Sequence, residues 1–184
     1  MGVFERYTKQ CKRAVFFAQQ TALRGGATSI DSGHLLLGLL SEPGTRADTV
    51  FRLRELMPDE VSRQKGVLKE NIVKGTIPLS LDSRRAVAYA EWEANQLRDY
   101  WIDTEHLILG LLREGTSAAK RLREVGLDLK TCRNSVIANA SSRPARRDPV
   151  LWWVTRTPLG VFLQIIFLIG IIAVLMFVGF YSGK

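Results

Sequence analysis

The sequence predicts an all-α protein made of two pseudo-symmetric four-helix repeats and one C-terminal transmembrane helix. The chain repeats itself at a distance of 72 residues, apolar residues in each copy recur at helical spacing, and the chain ends in an uncharged apolar run. We expect one repeat domain over residues 1–140, with units of about 1–72 and 73–140, followed by a basic linker over 141–157 and a membrane anchor over 158–184.

The duplication is clearest where IDSGHLLLGLLSE at residues 30–42 aligns with IDTEHLILGLLRE at residues 102–114. Without a gap, 15 of the 35 residues from 13 to 47 are identical to the residues 72 positions later. Such identity predicts that both copies have one fold and pack against each other, because one small repeat buries little apolar surface alone. Leu37 and Leu109 share one position in the two copies, and we expect them to be equally buried.

Each copy contains two predicted helix starts. Thr8 and Ser80 are matched N-cap residues, each followed by small apolar residues at helical spacing. A second capping signal comes at Asp31 and Asp103, and the helices that follow are apolar nearly all round, which predicts that they are the most buried. Further helices are predicted over residues 46–57, 59–74, 116–125 and 128–140.

The cysteines and histidines form no metal-binding or catalytic pattern. Cys11 and Cys132 each lie in a helical pattern without disulfide or metal-ligand spacing, so we interpret them as core residues. His34 and His106 occupy equivalent helix starts, which predicts one structural role, local hydrogen bonding, in both copies. No nucleophile with a base and no GxxxxGK[ST] phosphate loop occurs. We therefore predict no enzymatic activity, no catalytic or metal-binding residues, no cofactor and no nucleotide.

Residues 159–181 contain no charged side chain and are long enough, as a helix, to cross the hydrocarbon core of a bilayer. Trp152 and Trp153 before this run and Tyr181 at its end match the aromatic belts of membrane interfaces, and Arg156 lies on the N-terminal side. The excess of arginine on that side predicts a single-pass protein of the plasma or inner cell membrane with a cytoplasmic N-terminal domain.

The net charge of +8 is divided between the repeats and the C-terminal part. Residues 1–140 contain 21 Lys and Arg against 17 Asp and Glu, a net charge of +4, and the other +4 flanks the apolar run. A nucleic-acid interface is therefore disfavoured, because half of the excess lies where membrane proteins place positive charge. We expect proteins and membrane lipid as partners, and no nucleic acid.

The repeated IDSGHLLLGL and IDTEHLILGL cores resemble the N-terminal domain of Clp-type chaperone ATPases over about residues 1–140. This resemblance implies a helical pseudo-dimer that recruits substrates and adaptor proteins to an ATP-driven unfoldase. In some members, an acidic residue in the signature loop of each unit binds proteins marked with phosphoarginine. This chain differs from the family in having no ATPase module, and Gly33 in its first copy stands where the second has Glu105.

If that ligand pocket carries over, we expect one site for each chain, in the second copy. Its predicted residues are Glu105, the possible cap Thr104, Ser80 and the aromatic Trp101. A carboxylate there would accept the guanidinium of an arginine or phosphoarginine through charge-assisted hydrogen bonds. Glu105 also has a structural interpretation, because the helix dipole favours a carboxylate in the first turn.

Together with the resemblance, the sequence predicts a membrane-anchored protein-binding module in Clp-type protein quality control. Its expected partners are Clp-type chaperone subunits, adaptors or client polypeptides, including phosphoarginine-marked ones. The alternative is a structural or assembly factor that packs on a membrane partner and handles no substrate. No residue pattern supports a third class, an enzyme with an unrecognised site.

Overall fold

The computed structural model describes residues 4–62 and 73–139, which belong to the first of two compact units, residues 1–143. Repeat one contains helices α1 (Lys9–Arg24), α2 (Ser32–Ser41), α3 (Arg46–Phe51) and α4 (Leu53–Leu56), and residues 58–62 are also helical. Repeat two contains α5 (Leu81–Gln96), α6 (Thr104–Glu114), α7 (Ser117–Glu124) and α8 (Leu129–Ala138). The predicted all-α fold of two repeats is confirmed for the described residues.

The first helix of each repeat begins at the predicted cap. Thr8 Oγ1 accepts a hydrogen bond from the backbone N–H of Cys11 at the start of α1. Ser80 Oγ accepts one from the backbone N–H of Ser83 at the start of α5. Each side chain thereby satisfies a backbone donor that the first helical turn leaves without a partner.

The second helix of each repeat begins with a reciprocal cap made by aspartate and histidine. The Asp31 side chain accepts a hydrogen bond from the backbone N–H of His34, and His34 Nδ1 accepts one from the backbone N–H of Asp31. Asp103 and His106 form the same cap at the start of α6. The predicted structural role of the two histidines is therefore confirmed.

Each repeat is built on two helices whose backbones are in direct contact. A Cβ atom on Gly38 of α2 would lie 2.1 Å from the carbonyl oxygen of Ala14 and 2.7 Å from the backbone nitrogen of Ala18, both in α1. At Gly110 of α6, a Cβ atom would lie 2.2 Å from the carbonyl oxygen of Ala86 in α5. Because no side chain fits in these spaces, glycine is required at both crossings.

The two repeats are joined by reciprocal backbone pairing. The residues around Tyr7, before α1, form a parallel bridge with Ile102 in the loop of repeat two, through hydrogen bonds of 2.8 and 3.0 Å. The residues around Leu79, before α5, form the equivalent bridge with Ile30 in the loop of repeat one, with both bonds at 2.9 Å. Each repeat therefore completes the loop of the other, and the two form one domain.

The cysteines lie in the core, as predicted. Cys11 and Cys132 are both buried and unoxidised among the apolar residues that the two repeats share. Burial raises the pKa of the Cys132 thiol to about 12 and the pKa of the Cys11 thiol well above its ordinary value. Both thiols therefore stay protonated and act as small apolar side chains.

Two expectations about the repeats are wrong. Leu109 is fully buried but Leu37 is only partly buried, because α6 is packed against α8 as well as α5 and α7, whereas α2 has no comparable contact with α3 or α4. The predicted helix over 46–57 is interrupted at Arg52, which adopts a left-handed conformation with φ of 52° and separates α3 from α4.

Within residues 4–62 and 73–139, no helix is long and apolar enough to cross a membrane. The predicted linker over 141–157 and anchor over 158–184 lie outside the described residues, and so does most of the helix predicted over 59–74. The same holds for the four residues expected at the membrane interface, Trp152, Trp153, Arg156 and Tyr181. The membrane anchor therefore stays a prediction.

The glycine crossings give a stability prediction. Gly38→Ala and Gly110→Ala should each lower the free energy of unfolding by about 1–3 kcal/mol, because the added methyl group overlaps the facing backbone. This loss is expected although alanine is the better helix former. The control is Gly33→Ala, also in α2, where the nearest atom is a side-chain oxygen of Asp31 at 3.2 Å. Urea unfolding followed by helical circular dichroism measures all three, and equal stability of the three variants would contradict the crossings.

Candidate functional site

Glu105, the centre of the predicted ligand site, is 1% exposed in the first turn of α6. Its Oε1 atom accepts a hydrogen bond of 2.8 Å from Nε of Arg46, at the start of α3 in the other repeat. Arg46 also reaches the carbonyl oxygen of Asn139 through Nη2, at 3.5 Å. The carboxylate therefore binds a guanidinium, as its chemistry predicts, but this guanidinium belongs to the same chain. A ligand would have to displace Arg46 to reach Glu105.

The other three predicted site residues do not surround Glu105 as an open pocket. Thr104 is buried, and its Oγ1 accepts a hydrogen bond of 3.0 Å from the backbone N–H of Ala47, which joins α6 to α3. Trp101 is 43% exposed and packs edge-on against Tyr100, with ring centroids 5.0 Å apart. Of the four predicted residues, only Ser80 lines the groove described below.

The contact between the repeats is charged on one side only. Positions 33 and 118 correspond to Glu105 and Arg46 after a shift of 72 residues, and they hold Gly33 and Ala118. In place of an ion pair, Ser32 Oγ lies 2.8 Å from Thr116 Oγ1 on this side. The buried pair is thus a feature of one half of the domain, although both halves share one scaffold.

A surface groove of about 620 Å³ lies where the loop of repeat one meets the start of α5. Four apolar side chains form most of its walls, and four polar or charged residues complete the lining. The apolar residues are Pro78, Leu79, Val87 and Ala88, and the others are Ser29, Ser80, Arg84 and Glu91. Except for Ser80, the sequence analysis missed these residues, because the groove depends on the pairing of Ile30 with Leu79 across the two repeats.

The repeat shows why the groove opens on this side of the domain. Ser29 and Ala88 of the groove correspond to Trp101 and Phe16 in the other half. Two small side chains in the groove thus replace two large aromatic ones at equivalent positions. The internal comparison of the two copies is the sequence signal that could have revealed this asymmetry.

The charged groups of the groove differ in how they are paired. Glu91 Oε1 accepts a hydrogen bond of 3.2 Å from Nη1 of Arg6, so its charge is balanced within the chain. Arg84 donates from Nε to the carbonyl oxygen of Ser80 at 3.4 Å and forms no ion pair with any described residue. The groove therefore has one cationic group available to an anion.

Asp82 fixes the entrance of the groove. Ser80 Oγ donates a hydrogen bond to Asp82 Oδ1, and the backbone N–H of Ser32 in the other repeat donates to Oδ2 at 2.9 Å. Partial burial raises the pKa of Asp82, but these hydrogen bonds outweigh it and lower the pKa to about 2. The carboxylate is therefore ionised at neutral pH and holds Ser80 in place beside the other repeat.

Metal chemistry has no basis in the described part of the chain. No group of three or more His, Cys, Asp or Glu side chains within residues 4–62 and 73–139 is arranged to hold a metal ion. The two histidines that such a site would use are bonded to the backbone at their helix starts.

Comparison with known proteins places this geometry in a family. The model of the Clp repeat (R) N-terminal domain matches residues 6–125 and 78–149. The chain is 34% identical over 139 residues to an ATP-dependent Clp protease ATP-binding subunit ClpA homolog of Guillardia theta, and 34% identical over 140 residues to the chloroplastic chaperone protein ClpC2 of Oryza sativa subsp. japonica. These alignments cover 73% and 74% of this chain but only 17% and 15% of the two relatives.

Solved structures have the same fold. The N-terminal domain of the chaperone ClpD from Arabidopsis thaliana superposes with a TM-score of 0.56 at 21% identity, covering 76% of this chain and 97% of that one. The N-terminal domain of Hsp104 from Candida albicans gives a TM-score of 0.53 at 16% identity, covering 76% and 94%. With the duplicated cores and the family match, these likenesses lead to one conclusion: the chain belongs to the family of Clp repeat N-terminal domains.

Proposed function

We propose that this chain is a protein-binding module that recruits client polypeptides or adaptors to Clp-type protein quality control. The observation that carries the proposal is the groove beside α5, an open surface with apolar walls on a rigid, duplicated scaffold. Family membership supports it, because the aligned relatives are named as Clp ATP-binding subunits and chaperones.

The size and lining of the groove fit one side chain or a short segment of another protein. Its volume of about 620 Å³ lies within the range of known ligand pockets. An apolar side chain of leucine size that is buried between Leu79, Val87 and Ala88 contributes about 1.5–3 kcal/mol. One such anchor supports weak and rapidly reversible binding, which suits a module that passes its partner on.

A crosslinking experiment tests the groove. A photo-reactive amino acid at position 88 of the full-length chain should capture Clp-type chaperone subunits, adaptors or unfolded clients in cells, and Ser29→Trp should abolish this capture by filling the groove. The matched control has the same photo-reactive residue at position 16, the equivalent position in repeat one. Equal capture at both positions, unaffected by Ser29→Trp, would contradict the proposal. Capture of integral membrane proteins alone would favour the assembly-factor alternative.

We propose further that residues 158–184 attach the module to a membrane. The uncharged run over 159–181 and the flanking aromatic and arginine residues support this proposal. The chain should remain in the membrane pellet after an alkaline carbonate wash, and a variant that lacks residues 149–184 should be released. Extraction of the full-length chain by carbonate would rule out a spanning helix.

Binding of phosphoarginine at Glu105 remains a proposal of its own, and it now includes Arg46 as a competitor. Glu105 Oε2 is buried without a hydrogen-bond partner, so the carboxylate retains one acceptor for a further donor. A ligand guanidinium would replace the Nε contact of Arg46 with an equivalent charge-assisted hydrogen bond. Since both contacts are of one kind, the free energy gained is small, and we expect the internal arginine to keep the site closed to weak ligands.

Substitution of the pair tests its role. Arg46→Ala should lower the free energy of unfolding by about 3–5 kcal/mol, because Glu105 stays buried without a partner. The double variant Arg46→Met with Glu105→Leu should recover most of this loss, because it removes both charges. In titrations with a phosphoarginine peptide, Arg46→Ala should strengthen binding and Glu105→Ala should abolish it. Unchanged binding in both variants would leave Glu105 with its structural role only.

A further inference from the structure

Helix α5 presents an apolar stripe to solvent on the side opposite to its buried alanines. Positions 81, 85, 89 and 92 recur at helical spacing and lie on one face. Leu81 is 57% exposed and Trp92 is 41% exposed, and Tyr89 between them is also exposed. Large apolar side chains grouped on one exposed face are typical of an interaction surface.

Two arginines are held at the Trp92 end of this stripe. The Cζ atom of Arg113 lies 4.2 Å from the centroid of the Trp92 ring, and that of Arg133 lies 5.7 Å from it. Both guanidiniums are attached to Glu93, which is 0% exposed. Arg113 donates to its Oε1 from Nη2 at 2.6 Å and from Nε at 2.9 Å, and Arg133 Nε lies 3.5 Å from Oε2.

This cluster carries an excess of positive charge with donors available. Two guanidiniums share one carboxylate, and the Nη atoms of Arg133 donate no hydrogen bond within the described part of the chain. The buried carboxylate orients both arginines in advance, so a bound anion costs little side-chain entropy. Repeat one has no such cluster, since the equivalent positions hold Gln20, Thr21, Ser41 and Val61.

We propose that the stripe on α5, together with Arg113 and Arg133, binds an acidic amphipathic helix of a partner protein. The charge of the cluster selects the occupant, because a carboxylate of the partner completes the hydrogen bonding of the two arginines. A second copy of this chain does not fit, because the chain has a net charge of +8. This inference rests on the proposed protein-binding function, but it concerns a face of α5 next to the groove and not the groove itself.

The geometry also sets the length of the partner segment. Eleven residues of α helix, from Leu81 to Trp92, span about 16 Å, so three turns of a partner helix cover the stripe. Apolar residues of the partner would lie on Leu81, Tyr89 and Trp92, and its carboxylates would lie toward Arg113 and Arg133.

Fluorescence anisotropy with the full-length chain tests the inference. The probe is a labelled helical peptide of about 15 residues with Leu and Glu on one face, compared with the same peptide carrying Lys in place of Glu. The acidic peptide should bind, the basic one should not, and affinity should fall as salt is added. Arg133→Glu and the milder Arg133→Gln should weaken binding, the first by at least about tenfold, and Trp92→Ala should weaken it as well. Arg113 keeps its bond to Glu93 in these variants.

Two controls keep the outcomes separate. Lys12→Glu makes the same charge change on α1, in repeat one, and should alter the affinity less than twofold. Ser29→Trp should leave it unchanged, so failure of the groove proposal and failure of this one can be told apart. The inference is overturned if both peptides bind alike, if Arg133→Glu has no more effect than Lys12→Glu, or if anionic phosphatidylglycerol vesicles bind this surface and the acidic peptide does not.

Discussion

The direct backbone contact at Gly38 and Gly110 is the constraint on which the rest of the structure depends. It fixes how closely α2 approaches α1 and α6 approaches α5, since no Cβ atom fits at either crossing. The caps that follow from it place Ile30 and Ile102 where the segment before the first helix of the other repeat can pair with them. Two small repeats that each bury little apolar surface alone thereby share one core.

The duplicated scaffold and the surfaces it carries have different symmetry. Glycines, alanines, caps and histidines recur in both repeats, because the same packing problem is solved twice. The surface residues differ: Arg46 and Glu105 have no charged counterparts, and the small Ser29 and Ala88 of the groove stand opposite two large aromatics. The features able to bind another protein are therefore concentrated on α5 and the segment before it.

Local signals made the scaffold predictable from sequence, and long-range pairing made the site hard to predict. The caps at Thr8, Asp31 and their copies depend on residues within one turn, so a single sequence reveals them. The pairing of Arg46 with Glu105 joins residues 59 positions apart, and nothing in their spacing indicates it. The break at Arg52 was missed because arginine is a good helix former, and its left-handed conformation follows from tertiary packing.

Hydrogen–deuterium exchange of the full-length chain, alone and with a captured partner bound, tests most directly whether binding is confined to one half of a symmetric scaffold. Exchange is compared in residues 76–96, which include the groove segment and α5, and in the matched residues 4–24. We expect slower exchange on binding in the first segment and no change in the second. Equal protection of both segments, or protection of residues 4–24 alone, would contradict the assignment of the binding surface to repeat two.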